Sequence, residues 1–170
     1  MIRWLLNRRL NRAEQQLGVP IDETRYILSH SIKALLAYRS LSKLSQYRGP
    51  LPPEVHATAK IAAYRQEDCG SCLQISVNLA RKAGVPAALL RDLAQGRISS
   101  LPESLRDVYR FAEEQANRSD NPELRERLRQ RYGDDGLIAL ALAVTSARTF
   151  PTLKRALGYA TSCSRVEISA

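Results

Sequence analysis

Apolar residues recur with a helical period through nearly the whole chain, and no stretch alternates apolar and polar residues long enough to make a strand. That pattern leaves an all-α fold. Glycine and proline divide it into segments. The first helix is expected over Ile2 to Leu17, with Ile2, Leu6, Leu10, Ala13 and Leu17 on one face and Gly18 and Pro20 beyond its end. Asp22 is positioned to cap a second helix running through Tyr26, Leu35, Tyr38 and Leu41 to the breaker Gly49-Pro50-Leu51-Pro52-Pro53.

An alanine-rich helix follows from Glu54 towards Arg65, presenting Val55, Ala59, Ala62 and Ala63, and the next starts near Cys69 and stops at Gly84. Pro86 opens a short helix that Gly96 ends, and Ser100-Leu101-Pro102-Glu103 has the form of a capping box for another. Pro122 to Tyr132 is a charged helix closed by Gly133. After Asp134-Asp135-Gly136 an apolar helix runs to about Arg148, and Pro151 starts the last. The breaker at 49–53 divides the chain into a basic helical extension, 1–50, and a core region, 51–170.

A chain of 170 residues is the size of one globular domain, and its longest apolar run, Leu137 to Val144, is well short of the roughly 20 residues that span a bilayer. Trp4-Leu5-Leu6 meets Asn7, Arg8 and Arg9 at once, unlike the long apolar centre of a secretory signal, so a cytoplasmic location is expected. The net charge of +9 is uneven: residues 1–50 carry nine Lys/Arg against three Asp/Glu, residues 51–170 seventeen against fourteen. No reading element with stacking aromatics accompanies this excess, so no specific nucleic acid partner is expected. The first helix joins Trp4, Leu5 and Leu6 to Arg3, Arg8, Arg9 and Arg12, a pattern that fits an oligomer contact or peripheral contact with an anionic membrane.

Two of the three cysteines lie in Glu67-Asp68-Cys69-Gly70-Ser71-Cys72, at the expected start of a helix. The i, i+3 spacing puts both thiols on one face. Free backbone N–H groups and the helix dipole favour the thiolate there, and a sulfenic acid formed on one thiol can condense with the other. Zinc would need further soft donors, and His30, His56 and Cys163 stand at no finger spacing. A thioredoxin-like fold would need strands. Two buried cysteines without chemistry remain the bland alternative. Cys163, near the C-terminus, reads as a buried apolar residue or an incidental thiol.

The stretch Leu51 to Arg97, with its alanine-rich helix, its Cys-x-x-Cys start and Asn78-Leu79-Ala80-Arg81-Lys82-Ala83-Gly84-Val85-Pro86, resembles the core of the carboxymuconolactone decarboxylase and alkyl hydroperoxidase D superfamily. Tyr132-Gly133 to Gly158 is compatible with its larger members. The resemblance implies an alkyl hydroperoxidase D-like helical bundle that assembles as homo-oligomers. It also implies a thiol peroxidase or disulfide reductase with no metal or organic cofactor, a hydroperoxide or disulfide as substrate, and a thiol or reductant protein as partner. By the same resemblance Cys72 attacks peroxide and Cys69 resolves the disulfide. The chain departs from the pattern at two positions: Ser76 stands where the family has histidine, and Ala57 where it has glutamate. Serine can orient a thiolate or water but is no base near neutral pH. Glu67 and His56 are the titratable candidates to replace the missing relay. The competing class is a non-catalytic or redox-sensing helical oligomer that kept the fold and lost the relay.

Overall fold

The computed structural model describes residues 2–160 and 167–168, which places Cys163 outside the described residues. Every regular element among them is helical. In chain order these are α1 (Ile2–Leu17), α2 (Asp22–His30), α3 (Ile32–Gln46), α4 (Pro53–Gln66), α5 (Gly70–Lys82), α6 (Ala87–Gln95), a 3₁₀ turn (Ile98–Ser100), α7 (Glu103–Ala116) and α8 (Pro122–Ala156).

The alanine-rich α4 forms the centre of the bundle. From Ala57 to Tyr64 every side chain is buried, the condition of a helix enclosed on all sides, and its small residues let α5, α6, α7 and α8 pack closely against it. Ile61 and Ala62 join Leu90, Leu93, Leu101, Val108, Leu124, Leu128 and Leu140 in one continuous core. Burying such aliphatic side chains stabilises the fold by about 1.5–3 kcal/mol each.

Helix boundaries follow local chemistry. Gly18 and Gly96 adopt left-handed backbone beyond α1 and α6. The single helix expected across Asp22 to Leu41 is two, because Ser31 turns to extended backbone and its hydroxyl accepts from Ala34 N at 3.1 Å, capping α3. Ile21, with Asp22 one residue inside, occupies the N-cap of α2. The expected capping box at Ser100 does not form: Ser100 ends the 3₁₀ turn, and Pro102 precedes α7 without a side-chain cap.

Gly133 breaks helical geometry at φ 72, ψ 177, where the charged helix was expected to stop. The helix resumes at once through Asp134-Asp135-Gly136 and continues past Pro151, so no new helix starts at that proline. Taken whole, α8 is long and apolar enough to cross a membrane by length and composition, which the run Leu137 to Val144 did not indicate. Here Ala139, Leu140, Ala143, Val144 and Ala147 are buried in the protein core.

The first 50 residues contribute interior side chains as well as surface. Ile21, Leu28 and Leu35 are buried, and α3 lies against α8. α1 is held by its C-terminal half: Asn78 Nδ2 donates to Leu17 O at 2.7 Å, Lys82 donates to Gln16 O, and Arg25 pairs with Glu14. Its other end exposes Ile2, Trp4 and Leu5, with the Arg8 guanidinium 5.0 Å over the Trp4 ring.

Candidate active site

α4 ends at Gln66, and Glu67 and Asp68 turn the chain, Asp68 with a left-handed φ of 47°. Cys69 then occupies the N-cap of α5, and Ser71 and Cys72 lie in its first turn. The turn places the two cysteines with Cα atoms 5.3 Å apart, and they are joined as a disulfide. Cys69 is 0% and Cys72 3% exposed. The pair therefore sits at the positive end of α5, where an emerging thiolate is favoured, under a nearly closed protein surface.

Glu67 lies beside the pair with both carboxylate oxygens engaged. Arg148 Nε donates to Oε1 at 3.0 Å and Arg155 Nη2 to Oε2 at 2.7 Å, while Arg155 Nη1 also holds the Glu67 carbonyl at 2.7 Å. Through these bonds Glu67 ties the turn before the cysteines to α8. Ser76 is buried in α5, one turn beyond Cys72. Ala57, at the position of the missing glutamate, is buried on α4.

His56 belongs to another neighbourhood, shared with Tyr47, Arg48 and Lys60. Burial, and then the charges of Lys60 and Arg48, push its pKa down to about 4, against a hydrogen bond to the Tyr47 backbone that raises it. Its Nε2 is buried without a partner.

Two buried cations escaped the sequence reading. Lys154, near the end of α8, donates from Nζ to Ser71 Oγ at 3.0 Å and faces Glu23 Oε2 of α2 at 3.5 Å, with both charged side chains about 5% exposed. Ser71 Oγ is in turn 3.7 Å from Cys69 Sγ. A signal existed: Lys154 continues the stripe Ala143, Ala147, Pro151, whose apolar members point inward.

Lys60, on α4, reaches Ser45 of α3, and burial brings its ammonium down from 10.5 to about 8. Around these cations lie Tyr38 and Tyr64. Burial raises both phenols above their ordinary range, Glu23 adding to the shift at Tyr38 and Tyr38 to that at Tyr64. The interior next to the cysteines is thus a chain of polar groups drawn from α2, α3, α4, α5 and α8.

No protein-family model matches the chain, and neither a curated protein nor a solved structure does.

Proposed function

We propose that the chain is a thiol oxidoreductase, a peroxidase or disulfide reductase of the alkyl hydroperoxidase D-like kind, that cycles Cys69 and Cys72 between dithiol and disulfide. The observation that carries this reading is the placement of both cysteines in the first turn of α5, close enough to be bonded to one another. In the peroxidase direction the Cys72 thiolate attacks the peroxide O–O bond and becomes a sulfenic acid as the alcohol leaves. The Cys69 thiolate then attacks that sulfur, and hydroxide leaves and takes a proton as water. Two electrons pass from the dithiol to the peroxide, and an external dithiol or reductant protein returns them by exchange. Neither metal nor organic cofactor enters these steps.

Stoichiometric hydroperoxide added to the reduced full chain tests this. The expected result is loss of two thiols, with the intact mass falling by about two hydrogens, from a Cys69–Cys72 bond. Cysteines that stay reduced, or a Cys72→Ser variant that oxidises as readily as the parent, would sink the reading.

The near-closure over both sulfurs favours the second reading, a redox-sensing or non-catalytic helical protein. It predicts oxidation that is slow, on the scale of local opening, and insensitive to the kind of peroxide.

In the same proposal copies of the chain assemble through the exposed Ile2, Trp4 and Leu5 strip of α1. Removing residues 1–20 is expected to lower the oligomer mass. An unchanged mass with lost binding to anionic liposomes would assign that strip to a membrane surface instead.

A further inference from the structure

Lys154 is the cation that hydrogen bonds connect to the cysteine pair. Its ammonium donates to Ser71 Oγ at 3.0 Å, and Ser71 Oγ lies 3.7 Å from Cys69 Sγ. A sulfur in a disulfide has no proton, so the Ser71 hydroxyl is the donor in that contact. The oxygen already accepts from Lys154, which polarises its O–H towards sulfur. Glu23 faces the ammonium from α2 at 3.5 Å and accepts from Thr24 Oγ1 at 3.3 Å. The carboxylate pairs with the buried ammonium and pins Nζ towards Ser71.

The other charged and titratable groups around this end of α5 do not duplicate the connection. Glu67 is held by Arg148 and Arg155, Asp68 has a partner of its own, and Tyr38 feels the charge of Glu23.

We propose that Lys154, held by Glu23 and acting through Ser71, keeps Cys69 as the thiolate whenever the disulfide is open. Lys154 is then a positioning residue that does for Cys69 what a proton relay does elsewhere, with fixed charge in place of a base. The inference rests on the redox reading of the pair and says which sulfur carries charge at each step. An incoming thiolate attacks Cys72 Sγ, since Cys69 presents no surface. The Cys69–Cys72 bond breaks and its electron pair leaves on Cys69 Sγ, opposite the Ser71 hydroxyl and the Lys154 charge. The external sulfur is now bonded to Cys72, and a second external thiolate releases it as an external disulfide. Two external thiols are oxidised and the protein disulfide is reduced. In the oxidative half of the cycle the waiting Cys69 thiolate attacks a Cys72 sulfenic acid, the S–O bond breaks, and the departing hydroxide takes a proton from solvent as water. Thiols of low pKa leave faster, so this arrangement speeds the opening of the bond.

The test is titration of Cys69 in the full-length chain carrying Cys72→Ser and Cys163→Ser, which leaves one thiol, read by ultraviolet thiolate absorbance. Lys154→Met and Ser71→Ala are each expected to raise the midpoint by about one pH unit, cutting the thiolate fraction below the midpoint about tenfold, while Lys154→Arg titrates with its parent. Lys154→Met strands Glu23 in the interior, so it is also made together with Glu23→Gln, with helical circular dichroism as the check on folding. Ser71→Ala leaves the ion pair in place. A lysine that merely fastened α8 to α2 would leave Cys69 titration where it was. An unmoved midpoint in Ser71→Ala or in the double variant, or an arginine that fails to restore what methionine loses, overturns the proposal. These titrations can be read in a protein that reduces no peroxide, so failure here and failure of the redox reading are separate results.

Discussion

Lys60 of α4 donates from Nζ to Ser45 Oγ of α3 at 2.6 Å and to the Ser45 carbonyl at 2.9 Å, with both side chains buried. The contact joins the central helix to the first 50 residues through a charge that costs free energy to bury. Lys60 gives up its proton near pH 8 in the folded protein, but only near 10.5 in the unfolded chain. Between those values the unfolded chain holds the extra proton, so stability rises with pH. Below about pH 8 both forms are charged and the full cost of burial applies. Above about pH 10 the buried phenols Tyr38 and Tyr64 reverse the trend, because they stay protonated when folded and ionise first when unfolded. Urea unfolding across this range is expected to show greatest stability between about pH 9 and 10. Lys60→Met is expected to remove the rise from pH 8 and to stabilise neutral protein by on the order of 2 kcal/mol, net of the lost bonds to Ser45. An equal rise in parent and variant would show that Lys60 is not its source.

His56 works at the other end of the scale. Its folded pKa of about 4 lies below the ordinary 6.5, so the unfolded chain binds the extra proton between them. The stability it contributes is complete above about pH 6.5 and drains away as pH falls towards 4. His56→Phe keeps a ring in the site and removes both the titration and the unpartnered Nε2. The expected outcome is a shallower acid limb in thermal unfolding, with the acid midpoint moved to lower pH. An acid limb identical to the parent's would place the sensitivity in the carboxylates.

What could be read in the sequence was decided at short range. The helical period, the left-handed glycines at 18, 96 and 133 and the start of α5 at Cys69 all depend on neighbours within a turn or two, and each appears in the structure. The break at Ser31 was hidden because Tyr26, Leu35 and Tyr38 keep a helical rhythm through it, and only the cap geometry separates α2 from α3. Pro151 misled for the opposite reason: a strong local signal to begin a helix lies inside one, with Pro151 itself buried. The cysteine pair was legible because both members lie in one turn. Lys154 and Glu23 are brought to it from α8 and α2 by tertiary packing, and charged residues in isolation read as solvent-facing. Glu67 was legible as a neighbour of the pair, but its two arginines lie more than 80 positions away.

Those arginines allow a prediction that separates a structural carboxylate from a base. Glu67→Gln keeps the shape of the turn and removes the charge that Arg148 and Arg155 share. Because the guanidiniums are partly solvated, the expected loss is about 1 kcal/mol, seen as a thermal midpoint a few degrees lower at moderate salt. The rate at which peroxide oxidises the reduced pair is expected to stay within about twofold of the parent. A general base would cost about a hundredfold or more when neutralised. A drop of that size with unchanged stability would give Glu67 the catalytic role.

Gly133 carries the shape of α8. Its φ of 72 with ψ of 177 lies in a region that essentially only glycine occupies, and a Cβ there would meet nothing within 4 Å. Any penalty from adding a methyl group therefore comes from the backbone alone, without a clash. Gly133→Ala is expected to lower unfolding free energy by about 1–3 kcal/mol, read as a lower urea midpoint at unchanged slope. The alternative open to the variant is to straighten the kink, which would swing the charged half, Pro122 to Tyr132, away from α7 and break the Arg127 pair with Asp107. Protection of the α7 amides in hydrogen exchange distinguishes the two responses. Protection that is retained alongside a lower midpoint marks a strained but intact kink, and protection lost selectively in α7 marks a straightened helix. A midpoint equal to the parent's would mean that the break at Gly133 does not depend on glycine.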